Sequence, residues 1–296
     1  MPITICEVGP RDGLQNERTL LSTETKLALI GRVIAGGVRR LEAVSFAHPK
    51  RVPQMADAEQ VMAGVPRGGG VSYIGLVLNE RGFERAARAE VDEVNMVVLA
   101  TETFSQRNQG MSVEASLRAW SRIARMAHDA GIRPSLTISA AFGCPFEGEV
   151  SPDRVRAIAR QAVDAAPAEI ALADTIGVGV PTQVTELVGA VRDIAPGVAL
   201  RCHFHNTRNT GYANAVAAVS AGVETLDASA GGIGGCPFAP AATGNIATED
   251  LAYLLERMGV PTGVDVRAAA ATGQWIGQQL GIEAPALVGR ADPFPR

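Results

Sequence analysis

The pattern that decides the fold is shown by VALRCHFHNTRNTGYANAVAAVSA (residues 198–221), in which a short apolar run precedes a longer alanine-rich stretch. The first part predicts a β-strand over 198–204, and the second predicts a helix over 209–221. The same strand-then-helix pattern occurs eight times along the chain. The predicted strands cover residues 2–7, 39–45, 71–77, 93–99, 133–139, 168–173, 198–204 and 224–229, and the predicted helices cover 22–36, 56–64, 80–90, 112–130, 152–166, 181–195, 209–221 and 247–258.

Eight such units in about 260 residues favour a closed (β/α)8 TIM barrel, because a doubly wound open sheet has fewer strands and a clear switch point. No linker-like stretch divides the chain, so we predict a single α/β barrel domain over residues 1–296. Residues 264–280 predict an additional C-terminal helix. The extension over residues 264–296 is expected to pack on the barrel.

The composition excludes several classes of protein. Of the 296 residues, 47% are hydrophobic, and the net charge is -4 without any basic block, so neither nucleic acid nor a membrane is an expected partner. No apolar run approaches the roughly 20 residues that a membrane-spanning helix requires. The chain starts directly with an apolar segment, which leaves no room for a presequence and predicts a cytoplasmic protein. The four cysteines, at positions 6, 144, 202 and 236, contain no close C-x-x-C pair and predict reduced thiols.

Polar residues follow several predicted strands at their carboxyl ends, where barrel enzymes place their active sites. Because these ends meet at one mouth of the barrel, residues that are far apart in sequence are expected to converge there. They are Arg11 and Asp12 after strand one, Glu42 in strand two, Asp174 after strand six, His203 and His205 at the end of strand seven, and Cys236 after strand eight.

His203 and His205 form an H-x-H pair, and because strand side chains alternate, both imidazoles face the same side. They can bind one metal ion, with Asp12 adding a carboxylate and Asn245 an amide oxygen. The alternative is that the histidines are hydrogen-bonded core residues and that Asn245 caps the following helix. This mixture of ligands suits Mg²⁺ or Mn²⁺, and zinc also fits by ligand type.

Three other groups have both a chemical and a structural interpretation. Arg11 can stabilise a developing negative charge, and Glu42 can hold it through a salt bridge, a supporting role that we favour for Glu42. Asp174 opens DTIGVG (residues 174–179), which lacks the lysine of a phosphate-binding loop, and it either contacts the site or forms a turn. Cys236 lies in GGIGGCPF (residues 231–238), where glycines let the backbone close against a ligand, so this thiol predicts chemistry.

Longer motifs resemble those of the 3-hydroxy-3-methylglutaryl-CoA (HMG-CoA) lyase family, which belongs to a wider group of metal-dependent lyases and Claisen-type synthases on (β/α)8 barrels. The match runs over nearly the whole chain, and the spacings from Cys236 to Asn245 and from Asn245 to Glu249 agree with the family pattern. The motifs are EVGPRDGLQNE (residues 7–17), VPQMAD (residues 52–57) and GGIGGCPFAPAATGNIATED (residues 231–250).

The resemblance implies divalent-metal-dependent retro-Claisen cleavage of HMG-CoA, or of a close 3-hydroxy-3-carboxymethyl acyl-CoA, to acetyl-CoA and acetoacetate or a related 3-oxo acid. The expected partner is an acyl-CoA thioester, and the expected cofactor is Mg²⁺ or Mn²⁺ without an organic cofactor. A homo-oligomer is left open. The resemblance implies metal ligation by Asp12, His203, His205 and Asn245, enolate stabilisation by Arg11, proton transfer by Cys236, further functional carboxylates at Glu42, Asp174 and Glu249, and substrate binding by Gln15 and Arg208.

Several residues depart from the family pattern. Ala241 and Thr243 stand where a glycine and a serine are expected, and Asn206 stands where the lyases usually have an aspartate. Arg208 adds a cation that either binds a differently placed carboxylate or faces solvent. We therefore keep open another branched substrate such as citramalyl-CoA, a Claisen-type synthase and a 4-hydroxy-2-oxo-acid aldolase. A barrel that binds a CoA ester without catalysis is the non-enzymatic alternative, and the intact ligand set argues against it.

Overall fold

Eight parallel strands close into a barrel in the computed structural model, which describes residues 2–235 and 244–291. Neighbouring strands in the chain are neighbours in the barrel, and the last strand pairs with the first. The predicted (β/α)8 TIM barrel is therefore confirmed. The barrel strands are β1 (Thr4–Glu7), β2 (Arg40–Ser45), β3 (Ser72–Val77), β4 (Glu93–Leu99), β5 (Arg133–Ser139), β6 (Glu169–Asp174), β7 (Ala199–Phe204) and β8 (Thr225–Ala228).

Helices follow the strands and cover the outside of the barrel. They are α1 (Thr23–Ala35), α2 (Ala58–Gly64), α3 (Glu80–Arg88), α4 (Glu102–Gln109), α5 (Val113–Asp129), α6 (Pro152–Val163), α7 (Pro181–Ile194), α8 (Gly211–Ser220), α9 (Thr248–Arg257) and α10 (Val266–Leu280). Helix α4 was not predicted, because its polar sequence lacks an apolar stripe. A short antiparallel hairpin with two residues in each strand, Gly143–Cys144 and Gly148–Glu149, also lies between β5 and α6.

The C-terminal helix α10 packs against α1 and α9 on the outside of the barrel. Asp265 caps its first turn by accepting from the backbone N–H groups of Arg267 and Ala268, and Gly281 ends it with a φ of 69°. The guanidinium of Arg32 in α1 lies 4.5 Å from the centre of the Trp275 ring, which joins the two helices. Within the described ranges, no helix combines the length and the apolar character needed to cross a bilayer.

The barrel interior is built in layers of alternate strands, with polar side chains in place of the usual aliphatic ones. The first residues of the even-numbered strands form the lowest layer, where Arg40 contacts Glu93, Glu169 and Thr225. Since side chains two residues apart face the same side, Glu42, Asn95 and Asp227 form the next layer from these strands. The apolar core lies instead between the strands and the surrounding helices. The charged interior leads directly up to the mouth that holds the predicted site.

Candidate metal centre and active site

A π-helical turn, Gly9–Gly13, follows β1 and presents Arg11 and Asp12 at the mouth of the barrel. Pro10 has no N–H group to satisfy, which suits the start of the turn. The Asp12 N–H donates to the Val8 carbonyl at 2.7 Å, and the Gly13 N–H donates to the same oxygen at 3.1 Å. Such turns occur often at functional sites, because the extra residue redirects the side chains.

The Asp12 carboxylate meets the imidazoles of His203 and His205, and one ligand atom from each residue lies within 4.8 Å of the other two. Burial would raise the pKa of Asp12, but the charge of Arg11, with a hydrogen bond from Asn245, holds it below its ordinary value, so the carboxylate is ionised. Burial lowers the pKa of His205 to about 3, so its imidazole is neutral at pH 7. An ionised carboxylate and a neutral imidazole are the protonation states that metal binding requires.

His203 is oriented by a second carboxylate. Its Nδ1 lies 3.2 Å from Oδ2 of Asp227, a buried residue of β8. Burial would lower the pKa of His203, but the hydrogen bond with Asp227 and the charge of Asp12 raise it above its ordinary value. A carboxylate on Nδ1 leaves Nε2 of the imidazole for another partner, as is usual for metal-binding histidines.

Two buried polar atoms at this position have no hydrogen-bond partner among the described residues: Nδ1 of His205 and Oδ1 of Asn245. Nδ2 of Asn245 donates to Oδ2 of Asp12 at 3.0 Å, which places the amide beside the other three residues. Asn245 does not cap α9, since the N-cap position is Ala247. Buried atoms without partners are costly unless a ligand satisfies them, so this donor set fits a metal ion.

Arg11 is held between two carboxylates. Its Nε donates to Oε2 of Glu42 at 2.6 Å, its Nη2 also contacts that oxygen, and its Nη1 donates to Oδ1 of Asp12 at 2.6 Å. Nδ2 of Asn95 donates to the second oxygen of Glu42 at 3.0 Å. The geometry therefore places a fixed positive charge directly beside the candidate metal ligands.

A cavity of about 800 Å³ lies at the mouth of the barrel, and the candidate site residues that line it include Arg11, Asp12, His203 and His205. Gln15, which is predicted to bind the substrate, lines the cavity, and so does Gly235, the residue before Cys236. Cys236 itself, with Ala241 and Thr243, lies outside the described residues. The volume is sufficient for an acyl group and part of a larger ligand.

The side chains of three predicted residues make structural contacts with backbone groups. Asp174 is fully buried and accepts from the N–H groups of Val178 and Gly179 at 2.9 Å, so it holds the loop after β6. Glu249 accepts from the Gly231 N–H at 3.0 Å, beneath the glycine-rich segment. Arg208 is exposed, and its Nη1 donates to the carbonyls of two residues of the β6 loop, Ile176 and Gly177, at 2.8 and 3.2 Å.

Sequence reasoning missed two side chains that support the site, Asp227 and Asn95. Both stand inside predicted strands rather than at their ends, in the segments TLDA (residues 225–228) and EVNMVVL (residues 93–99). A carboxylate or amide within a buried strand needs a partner. A polar residue inside a predicted buried strand was therefore the feature in the sequence that could have identified both side chains.

The barrel and this group of one carboxylate, two imidazoles and one arginine are typical of an enzyme with a candidate metal site at the carboxyl ends of its strands. The chain belongs to the HMGL-like family, whose family model matches residues 2–276. The resemblance predicted from the sequence, including the class of carbon–carbon lyase, is confirmed.

Individual relatives cover almost the whole chain. An (R)-citramalyl-CoA lyase of Chloroflexus aurantiacus is 47% identical over 98% of this chain and 95% of its own length. A hydroxymethylglutaryl-CoA lyase of Pseudomonas mevalonii is 44% identical over 94% of this chain and 93% of its own length. A crystal structure of an HMG-CoA lyase from Acinetobacter baumannii, in complex with coenzyme A and 3-methylmalate, has a TM-score of 0.93 at 36% identity and covers 99% of this chain and 98% of that one.

Proposed function

We propose that this protein is a divalent-metal-dependent lyase that cleaves HMG-CoA, or a close branched 3-hydroxyacyl-CoA, into acetyl-CoA and an oxo acid. The observation that carries the proposal is the convergence of Asp12, His203 and His205 beside Arg11 at the wall of the cavity, with Asn245 bound to Asp12. Relatives with lyase names at 44 and 47% identity support the choice of reaction.

Asp12, His203, His205 and Asn245 would hold the ion, and the unpartnered Oδ1 of Asn245 supports this assignment. When bound, a Mg²⁺ or Mn²⁺ ion would supply Lewis-acid activation of the substrate hydroxyl and a neighbouring carboxylate oxygen. Asp227 keeps His203 in one tautomer and one orientation. No organic cofactor is needed for this reaction.

As the carbon–carbon bond breaks, negative charge develops on the thioester oxygen of the departing acetyl-CoA fragment. Arg11 lies at the cavity wall and would offset that charge, and its position is fixed by Glu42 and Asp12. Cys236 would donate its thiol proton to the carbon of this fragment, which requires the protonated thiol at that step, and the proton that leaves the substrate hydroxyl as the new carbonyl forms would restore the thiol. Gln15 would contact the acyl group from the wall of the cavity.

(R)-Citramalyl-CoA is the second candidate substrate, and the relative of that name at 47% identity favours it. In citramalyl-CoA the carboxylate is attached directly to the carbinol carbon, so the same bond cleavage gives acetyl-CoA and a 2-oxo acid. The carboxylate would then lie one carbon closer to the hydroxyl than in HMG-CoA.

Acetyl-CoA release from a panel of thioesters tests the metal, the reaction and the substrate together. The panel contains HMG-CoA, both enantiomers of citramalyl-CoA and a longer-branched analogue, each with EDTA and after addition of Mg²⁺ or Mn²⁺. We expect release that EDTA abolishes and either ion restores. Cleavage of HMG-CoA alone would refute citramalyl-CoA, and release that is insensitive to EDTA would refute the metal-dependent mechanism.

Cys236→Ala separates the lyase from an aldolase, which does not use this thiol. We expect a loss of about 10²- to 10⁴-fold in turnover, the usual contribution of an acid–base group. Cys202→Ala is the matched control, because Cys202 is a fully buried thiol in the apolar core. Equal activity of the two variants would contradict a proton-transfer role for Cys236.

A cytoplasmic location and a homo-oligomeric state belong to the same proposal, to be tested by cell fractionation and light scattering.

A further inference from the structure

Beneath Arg11, a hydrogen-bonded row of Arg201, Thr137, Asn95 and Glu42 crosses the barrel interior. Nη2 of Arg201 donates to Oγ1 of Thr137 at 3.3 Å, the Thr137 hydroxyl donates to Oδ1 of Asn95 at 3.0 Å, and Nδ2 of Asn95 donates to Oε1 of Glu42 at 3.0 Å. All four side chains of the row are buried. Asn95 and Thr137 also line the cavity.

The donor and the acceptor of each hydrogen bond in the row are fixed. The Arg201 guanidinium can only donate and the Glu42 carboxylate can only accept, so the two ends are fixed. Thr137 accepts from Arg201 and must therefore use its single proton toward Asn95. Asn95 then turns its NH₂ group to Glu42, since the opposite orientation would set two oxygens against each other. The row therefore stabilises one conformation of Glu42.

That conformation determines what Arg11 can offer to a substrate. Because Asn95 holds Oε1 of Glu42, only Oε2 faces Arg11, and Asp12 takes one N–H of Nη1. A guanidinium has five N–H groups, so one on each Nη remains without an acceptor among the residues that the structure describes. Nε and Nη2 of Arg11 share Oε2 of Glu42. Without Asn95, Glu42 could turn to give each of these N–H groups its own oxygen, which would rotate the guanidinium and redirect its two remaining N–H groups.

We propose that Asn95 and Thr137 are positioning residues, which hold Glu42 so that Arg11 keeps the orientation in which its two remaining N–H groups are available to the oxygen on which charge develops. The inference rests on the proposed lyase function for the identity of the reaction. The arrangement of the row itself does not depend on the substrate.

Two substitutions at Thr137 separate its hydroxyl from its volume. Thr137→Val keeps the shape and removes the hydroxyl, and we expect kcat to fall by about 3- to 10-fold, the usual effect of losing one hydrogen bond. KM and Mn²⁺ affinity should stay within about 2-fold, since neither depends on the transition-state charge. Thr137→Ser keeps the hydroxyl and should restore kcat. Equal kcat in the two variants would overturn the proposal.

A double-mutant cycle with Arg11→Lys tests whether the row acts through Arg11. Lysine cannot make the forked contact with Glu42 and Asp12, so Thr137→Val should change the residual kcat of Arg11→Lys by less than about 2-fold. Thr272→Val is the control for loss of a buried threonine hydroxyl, since Thr272 donates within α10 to Ala268 at 2.8 Å. This control should leave kcat unchanged. A full Thr137→Val effect in the Arg11→Lys background would refute the relay.

Hydrogen exchange at Nε of Arg11 provides a measurement that does not need turnover. In ¹⁵N-arginine-labelled protein this signal is identified by its loss in Arg11→Lys. We expect faster exchange in Thr137→Val than in Thr137→Ser or the native protein, because Glu42 is then less well held. Equal exchange in all three would refute the positioning role. If no thioester is cleaved, the proposed function fails, and the exchange rates still decide whether the row holds Arg11.

Discussion

Replacing Asp227 by asparagine tests how the candidate metal centre is held. The Asp227 carboxylate lies 3.2 Å from Nδ1 of His203 through one oxygen and 3.5 Å from Nη1 of Arg201 through the other. Asparagine has nearly the same shape but no charge. Asp227→Asn therefore removes the charged acceptor that orients the imidazole while it preserves the packing. We expect weaker binding of a divalent metal ion.

The magnitude follows from the contacts of the two oxygens. Loss of the carboxylate behind a metal-binding histidine weakens metal binding about 10- to 100-fold, or about 1.4–2.7 kcal/mol. Breaking a buried ion pair costs about 3–5 kcal/mol when one charge loses its only partner. Here Arg201 keeps Glu169, whose Oε1 lies 3.1 Å from its Nε. We therefore expect a smaller loss in the free energy of unfolding, about 1–3 kcal/mol.

Titration calorimetry with Mn²⁺ and urea unfolding of the metal-free protein measure the two effects separately. Glu169→Gln is the matched control, because Glu169 also contacts Arg201, and Arg40 at 2.6 Å, but within the described part of the chain it forms neither a hydrogen bond nor an ion pair with His203. The control should be destabilised with Mn²⁺ affinity within about 2-fold of the native value, since the imidazole keeps its carboxylate. Native Mn²⁺ affinity in Asp227→Asn would refute the reasoning, and equal losses in both variants would indicate a general disturbance of the barrel.

Two further predictions concern stability near the glycine-rich segment. Burial raises the pKa of Glu249 to about 8, so the stability that its protonated form contributes is complete below about pH 4.5 and is lost as the pH rises through about 8. The urea-derived free energy of unfolding should fall by up to about 1.4 kcal/mol per pH unit in that window, and Glu249→Gln should flatten this slope; an unchanged slope would contradict the assignment. Gly273→Ala would place a Cβ 2.0 Å from Oε1 of Glu249 and 2.8 Å from the Gly231 backbone, so urea unfolding should show a loss of about 1–3 kcal/mol. Gly189→Ala in α7 has nothing within 4 Å of the new Cβ and should not destabilise the protein.

The strands could be predicted from the sequence because apolar runs bounded by turn residues are a local feature. The predicted strands 93–99 and 133–139 agree with Glu93–Leu99 and Arg133–Ser139. Helix α4 could not be predicted in this way, since Phe104 and Ser105 are the residues that it buries and the remainder is polar. Its position depends on contacts with the rest of the fold, which a local pattern does not contain.

The candidate site was predictable where a local rule applied. Alternation along β7 puts His203 and His205 on one face, and closure of the barrel through β1 and β8 brings Asp12 to them. Asp227 and Asn95 were not predictable by the same rule. Their roles depend on which residues of distant strands share a layer of the interior, and that is decided by the stagger of the closed barrel.

Arg201 connects the two halves of the site. Its Nη1 faces Asp227, which orients His203 among the candidate metal ligands, and its Nη2 begins the row that reaches Glu42 and Arg11 through Thr137 and Asn95. A fully buried guanidinium needs acceptors on more than one side. Here one contact of Arg201 leads to His203 and another leads to Arg11. Substitutions at Asp227 should therefore change metal affinity without affecting the hydrogen bonds of Arg11. Substitutions at Thr137 should change turnover without affecting metal affinity, although Arg201 contacts both residues. Burying the charge of Arg201 in the barrel costs desolvation free energy, and its role in positioning both His203 and Arg11 explains why it lies there.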